Sequence, residues 1–172
     1  TSIAMHDSVS DFYYVLILDK DRALTHSKSD NREILPFDNE ANLLSKFLNI
    51  YESIAPTILT GWNIDFFDTP MLYNRIKRLL GEKQANRLSP IGQCFWSPYR
   101  KRYFMAGVSY LDYITLYKNY NYGELPNYRL DSVAQKELGR GLFVNLNISL
   151  LQENLNKSLN LRILSSLKSG SV

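Results

Sequence analysis

Pro56-Thr57-Ile58-Leu59-Thr60-Gly61-Trp62-Asn63-Ile64-Asp65-Phe66-Phe67-Asp68-Thr69-Pro70 is the stretch on which the fold turns. Residues 56–63 predict a buried strand opened by proline, which lacks the N–H a ladder needs and is tolerated at a strand's first residue. A helix is predicted to begin near Thr69-Pro70, because proline suits the first helical turn, and to carry Leu72, Tyr73, Ile76, Leu79 and Leu80 inward before Gly81. Between them stands Asp68, at the edge where open α/β sheets gather ligands. A carboxylate there has two possible jobs. It can cap the helix by accepting from the first free amides, or it can serve as a hard oxygen ligand for Mg²⁺ or Mn²⁺, ions that normally need more than one carboxylate.

Working outward, Phe12 to Asp19 is a β-branched and aromatic run ending in charge, read as a second buried strand, and Lys20 to Asn31 is polar. Pro36-Phe37-Asp38-Asn39-Glu40 predicts a helix start with Asp38 or Asn39 as cap. Leu43, Leu44, Phe47, Leu48 and Tyr51 follow at helical spacing. Residues 88–104, rich in Pro, Gly, Ser and aromatics, read as loops or a hairpin, and Met105 to Leu111 as a strand. Asp112 to Tyr120 and Asp131 to Leu138 read as helices, the latter closed by Gly139. Strands alternating with helices predict an α/β layered domain.

The chain has 172 residues and a formal net charge of +3, enough for one domain with a real core and too weakly basic to announce nucleic acid by itself. The longest stretches without a charge (53–64, 88–99 and 141–152) are 12 residues each, short of the ~20 apolar residues a spanning helix needs. One cysteine, Cys94, excludes an internal disulfide. Thr1 is not a start methionine, which suggests a piece of something longer. From Leu146 to Val172 the composition shifts: 8 Leu, 6 Ser and 4 Asn fill most of 27 positions and aromatics vanish. The expected division is therefore a domain over 1–145 and a divergent tail over 146–172, helical or disordered.

Tyr99-Arg100-Lys101-Arg102-Tyr103 sets three cations between two aromatics, a pattern that suits either a single-strand groove with stacking platforms or a solvated hairpin tip. Arg75, Lys77 and Arg78 suit an exposed helix face or a phosphate contact. His6 and His26 read as surface residues and Cys94 as a packed thiol.

Asn63, Phe67 and Asp68 fill the pattern Asn-x-x-x-Phe/Tyr-Asp, which resembles the second exonuclease motif of family B DNA polymerases. The flanks resemble the replicative polymerases of T-even-like tailed phages in the same order from about residue 3 to 145: Ile3 to Leu18, Tyr73-Asn74-Arg75-Ile76-Lys77, Leu88-Ser89-Pro90-Ile91-Gly92, Leu111-Asp112-Tyr113 and Leu130 to Gln135. The resemblance implies a ribonuclease H-like 3′-to-5′ proofreading domain, α/β with a mixed sheet, incomplete at both ends. It works by two-metal phosphodiester hydrolysis with Mg²⁺ or Mn²⁺, inside an infected bacterial cell. The resemblance further implies Asp68 as a metal carboxylate and catalytic residue, Asn63 near the bound strand and Phe67 beside the terminal nucleotide. Arg100, Lys101 and Arg102 are candidate strand contacts on the residue pattern alone.

Two departures bear on activity. Neither Asp7 nor Asp11 has a Glu two residues on, so the Asp-x-Glu motif is expected before Ile3. No Tyr follows Tyr128 and no Asp follows Asp131, so a Tyr-x-x-x-Asp motif is absent after Gly141. Truncation, a shifted frame or a split gene would each produce this. The expectations are negligible exonuclease activity in this chain alone, with Asp19 or Asp112 as possible substitute acids. The partners expected are a single-stranded primer end and the remainder of the polymerase, in cis or as a separate chain. The rival is a noncatalytic module that binds single-stranded DNA or docks on a polymerase.

Overall fold

The computed structural model describes residues 1–120 and 125–138. The Leu/Ser/Asn-rich tail and the Gly139 cap lie outside the described residues. Strand β1 (Ser2–Asp7) turns back into β2 (Phe12–Leu18) as an antiparallel hairpin, Ser2 opposite Ile17 and Asp7 opposite Phe12. Strand β4 (Arg32–Phe37) runs parallel to β2, and the short β3 (Ser27–Ser29) runs antiparallel to β4, giving the order β1-β2-β4-β3. Both β1 and β4 are missed by the sequence reading. Pro36 hid the second, yet it is tolerated because it lies beyond Ile34, where β3 stops pairing.

Helix α1 (Glu40–Ile54) starts where capping chemistry predicts. Asn39 is extended (φ −128°) and its side chain accepts from the Ala41 amide at 2.7 Å, with Glu40 in the first turn. Its buried face is Leu43, Leu44, Phe47, Leu48 and Tyr51, with Ile50 added, and it lies against β2, β4 and α2 (Thr69–Leu80). With Ile3, Met5, Leu16, Tyr73, Ile76, Leu88 and Met105 these residues form one core. Replacing Asn39 with alanine is expected to cost about 1 kcal/mol, the usual worth of such a cap, read as a lowered urea midpoint with an unchanged slope.

Strand β5 (Ile58–Gly61) pairs in parallel with β8 (Ser109–Asp112), so that Gly61 and Asp112 end side by side. The predicted strand 56–63 is thus trimmed at both ends. Between α2 and β8 come the one-turn α3 (Glu82–Ala85) and the hairpin β6 (Cys94–Ser97) and β7 (Arg102–Met105), the hairpin alternative for residues 88–104.

The single strand expected over 105–111 is broken. Gly107 adopts φ +88°, and a Cβ there would stand 2.6 Å from the Pro90 ring, so the chain must turn at that point. The same junction closes the hairpin's base: Ser89 Oγ donates to the Ala106 carbonyl (2.6 Å) and the Ala106 amide to the Gln93 carbonyl (2.9 Å). Helices α4 (Tyr113–Tyr120) and α5 (Leu130–Leu138) complete the described chain. Among the described residues no helix is long and apolar enough to cross a membrane. The result is the expected α/β arrangement, a mixed sheet flanked by helices.

Candidate active site

The site grows from the paired ends of β5 and β8. Beyond Gly61 the chain must reverse into α2, and it does so with Asn63 in the left-handed region (φ 65°, ψ 30°), which asparagine tolerates better than most residues. A wide π turn, Ile64–Asp68, follows and runs directly into α2; the Phe66 and Phe67 amides both donate to the Asn63 carbonyl (3.3 and 3.0 Å). This turn was not foreseen.

Asp112, at the end of β8, holds the reversal in place. Its Oδ1 accepts from the Asn63 amide (2.9 Å) and the Ile114 amide (3.0 Å), and its Oδ2 from the Asp65 amide (3.3 Å). A carboxylate with three donors is occupied as a clamp. Asp112 therefore comes close enough to Asp68 for its charge to act on it, as a substitute acid would need to, while its oxygens hold three backbone amides. Asp19 accepts from the Leu24 amide at 2.7 Å and sits just past the end of β2, in the four-stranded sheet.

Asp68 does not cap α2. Its backbone is already helical (φ −68°, ψ −47°), whereas a cap residue is extended, and its side chain makes no capping bond. It is only 6% exposed and borders a cavity of about 20 Å³, lined also by Phe47, Leu59, Ile64, Leu72 and Tyr110. That space suits a water-sized occupant and not a nucleotide. Burial pushes the Asp68 carboxyl up to about 7, the neighbouring Asp112 charge adds to the rise, and its own backbone amide opposes it.

The neighbouring side chains divide between exposed rings and a hidden ion pair. Phe66 and Phe67 are exposed and Asn63 is half-buried. Asp65, which the sequence reading passed over, is buried and ion-paired with Arg102 of β7. Burial raises its carboxyl above the ordinary range in spite of that partner, and Asp112 adds to the rise. Arg102 is thus not a free cation at the hairpin tip, as the sequence pattern suggested.

Arg100 and Lys101 are exposed at that tip. One face of the hairpin stacks Phe95 on Phe104 (5.7 Å, 14°) with Arg100 at 5.6 Å and Arg102 at 4.7 Å over the Phe104 ring. The other sets Trp96 edge-on to Tyr103, whose hydroxyl donates to Asn74 Oδ1 (3.0 Å) on α2. Arg75 and Lys77, considered as phosphate contacts, pair with Glu40 and Glu82. His6 and His26 pair with Asp11 and Glu33. Burial pushes the Cys94 thiol up to about 11, as fits a packed cysteine.

The fit to a metal can be judged on these contacts. Among the described residues no three His, Cys, Asp or Glu groups stand together as a ligand set. Asp112 is engaged by three amides and Asp65 by a guanidinium, which leaves Asp68 as the carboxylate without such a partner among the described residues. The described residues do not by themselves make a two-metal centre.

Residues 14–133 match the family model described as DNA polymerase family B, exonuclease domain. The chain is similar to a DNA-directed DNA polymerase of Enterobacteria phage T4, 37% identical over 167 aligned positions that cover 81% of this chain and 19% of that polymerase. It is also similar to the DNA-directed DNA polymerase of Escherichia phage RB69, 44% identical over 115 positions covering 62% of this chain and 12% of the relative. A DNA polymerase of Orgyia pseudotsugata multicapsid polyhedrosis virus is 26% identical over 118 positions. The chain spans less than a fifth of the length of each of these relatives.

Proposed function

Since this chain belongs to the exonuclease-domain family of the family B DNA polymerases, we propose that residues 1–145 are a portion of a ribonuclease H-like 3′-to-5′ proofreading domain from a phage-type DNA polymerase. The observation that carries the reading is Asp68: a buried carboxylate at the carboxyl edge of a parallel strand pair, with neither cation nor cap to explain it among the described residues. Charges held that way cost stability and are commonly kept for function. In this reading Asp68 is the metal carboxylate that this portion contributes. The remaining ligands, and the walls of a cleft wide enough for a nucleotide, come from the rest of the polymerase, in cis or as a separate chain.

Bound Mg²⁺ or Mn²⁺ would supply water activation and charge stabilisation at the scissile phosphate. The chain's own part is to bind and orient a primer end: Asn63 and Phe67 beside the terminal nucleotide, Arg100 and Lys101 on the phosphates, in the cytoplasm of an infected bacterium. A second reading, a noncatalytic single-strand-binding or polymerase-docking module, is favoured by the exposed Phe95 and Trp96 and the tip cations.

The two readings separate in one pair of experiments. Grafting residues 1–145 in place of the matching segment of the phage T4 polymerase should preserve degradation of a 3′-labelled single strand, and Asp68→Ala in the graft should abolish it. Degradation indifferent to that substitution would refute the enzyme reading. The isolated chain with Mn²⁺ is expected to show no turnover and to bind the strand with an affinity that falls steeply as salt rises.

A further inference from the structure

Exposed rings stand on two different elements: Phe66 and Phe67 on the turn that carries Asp68, and Phe95, stacked on half-buried Phe104, on the β6–β7 hairpin. One side chain reaches both. The Arg102 guanidinium lies 4.7 Å over the Phe104 ring and is ion-paired with buried Asp65, three residues before Asp68. Asp65 in turn is fixed through its amide to the Asp112 clamp. Strand alternation puts Arg102, Phe104 and Phe95 on one face of the hairpin, while Tyr103 on the opposite face is tied to α2 through Asn74.

We infer that Arg102 is a positioning residue and not a phosphate contact: through Asp65 it latches the hairpin's stacking face to the turn carrying Phe66, Phe67 and Asp68, and so sets whether a strand stacked on the hairpin delivers its 3′ end to that turn. The delivery half of this rests on the proofreading reading; the latch itself does not. Its logic is a division of labour. The exposed tip cations, Arg100 and Lys101, have no carboxylate partner among the described residues and can follow a backbone of any sequence. Arg102 spends its charge on a carboxylate that burial would otherwise neutralise, a pairing with little tolerance for displacement.

The test has one arm without DNA and one with it. Hydrogen exchange of the free chain should show Arg102→Gln speeding exchange about tenfold or more, in the 63–68 turn as well as in the hairpin, as expected for loss of a charge-assisted hydrogen bond. Arg102→Lys should restore most of the protection, and Arg100→Gln, which touches only the hairpin, should leave the 63–68 turn unchanged. Unchanged exchange in 63–68 overturns the latch. Should Arg102→Gln fail to fold, the double variant Asp65→Asn/Arg102→Gln, which leaves no unpaired Asp65 charge buried, is read in its place with the same expectation.

In the second arm a single strand bearing a photoactivatable 3′-terminal base should crosslink to 63–68. Arg102→Gln should shift that crosslink away while the dissociation constant stays within about twofold, because phosphate grip belongs to the tip; Arg102→Lys should bring it back. A crosslink that stays in place, or an affinity loss as large as that of Arg100→Gln, overturns the positioning role. Absence of any strand binding by the unsubstituted chain defeats the proofreading reading, and the exchange arm then decides the latch alone.

Discussion

Asp112→Ala is expected to destabilise the chain by about 3 kcal/mol or more. The substitution strands three backbone donors, the amides of Asn63, Asp65 and Ile114, at the point where β5, β8, the π turn and α4 meet. A fully buried donor left without a partner costs roughly 1–3 kcal/mol; the Asp65 amide is buried, those of Asn63 and Ile114 are partly so, and among the described residues no hydroxyl or carbonyl is hydrogen-bonded to them as a reserve. Against a total stability of about 5–15 kcal/mol for a domain this is a large share. Asp112→Asn separates the terms. Its one carbonyl oxygen can still accept from Asn63 and Ile114, but its NH₂ group would face the Asp65 amide, donor against donor, so roughly half the loss should remain. Urea denaturation near pH 7 measures both; a change below about 1 kcal/mol for the alanine variant would show that Asp112 does not hold the turn.

Asp68→Asn, by contrast, should stabilise the chain, and only at high pH. The folded carboxyl titrates at about 7 against 3.8 for an ordinary one, so between those values the folded state keeps a proton that the unfolded chain has released. Stability therefore falls as pH rises from about 4 to 7 and levels off above, with a ceiling of about 4 kcal/mol. Asparagine has the same shape and no charge to desolvate. In chelator-treated buffer the two proteins should have similar midpoints near pH 4, and the variant should be more stable by up to that ceiling at pH 8. Parallel stability curves over the whole range would mean that Asp68 is solvated in the folded state.

The parts legible in the sequence are those set by neighbours along the chain. The spacing of Leu43, Leu44, Phe47 and Leu48, the Asn39 cap, the Pro70 helix start and the aromatic strand at 12–18 each carry their cause within a few residues. The position of Asp68 at a strand-to-helix edge was readable for the same reason. What stayed hidden is long-range. Asp112 meets Asn63 across 49 residues and Asp65 meets Arg102 across 37, and no periodicity marks an acid that will accept from amides or a cation that will be buried. The cations of residues 99–103 therefore looked equivalent, and only tertiary structure distinguishes Arg102 from Arg100 and Lys101. The break at Gly107 was concealed likewise, because Pro90, the residue it must clear, lies 17 positions earlier.

That junction has an evolutionary side. Ser89, Pro90, Gln93, Ala106 and Gly107 clasp the hairpin where it leaves the body of the protein. Insertions, deletions or charge changes at the exposed tip need not be felt by the core, whereas Met105, Tyr103 and Arg102 in the strands are tied to it. The tip between the two strands, residues 98–101, is thus the part whose reach natural variation can retune, provided that the glycine and the ring facing it stay in register.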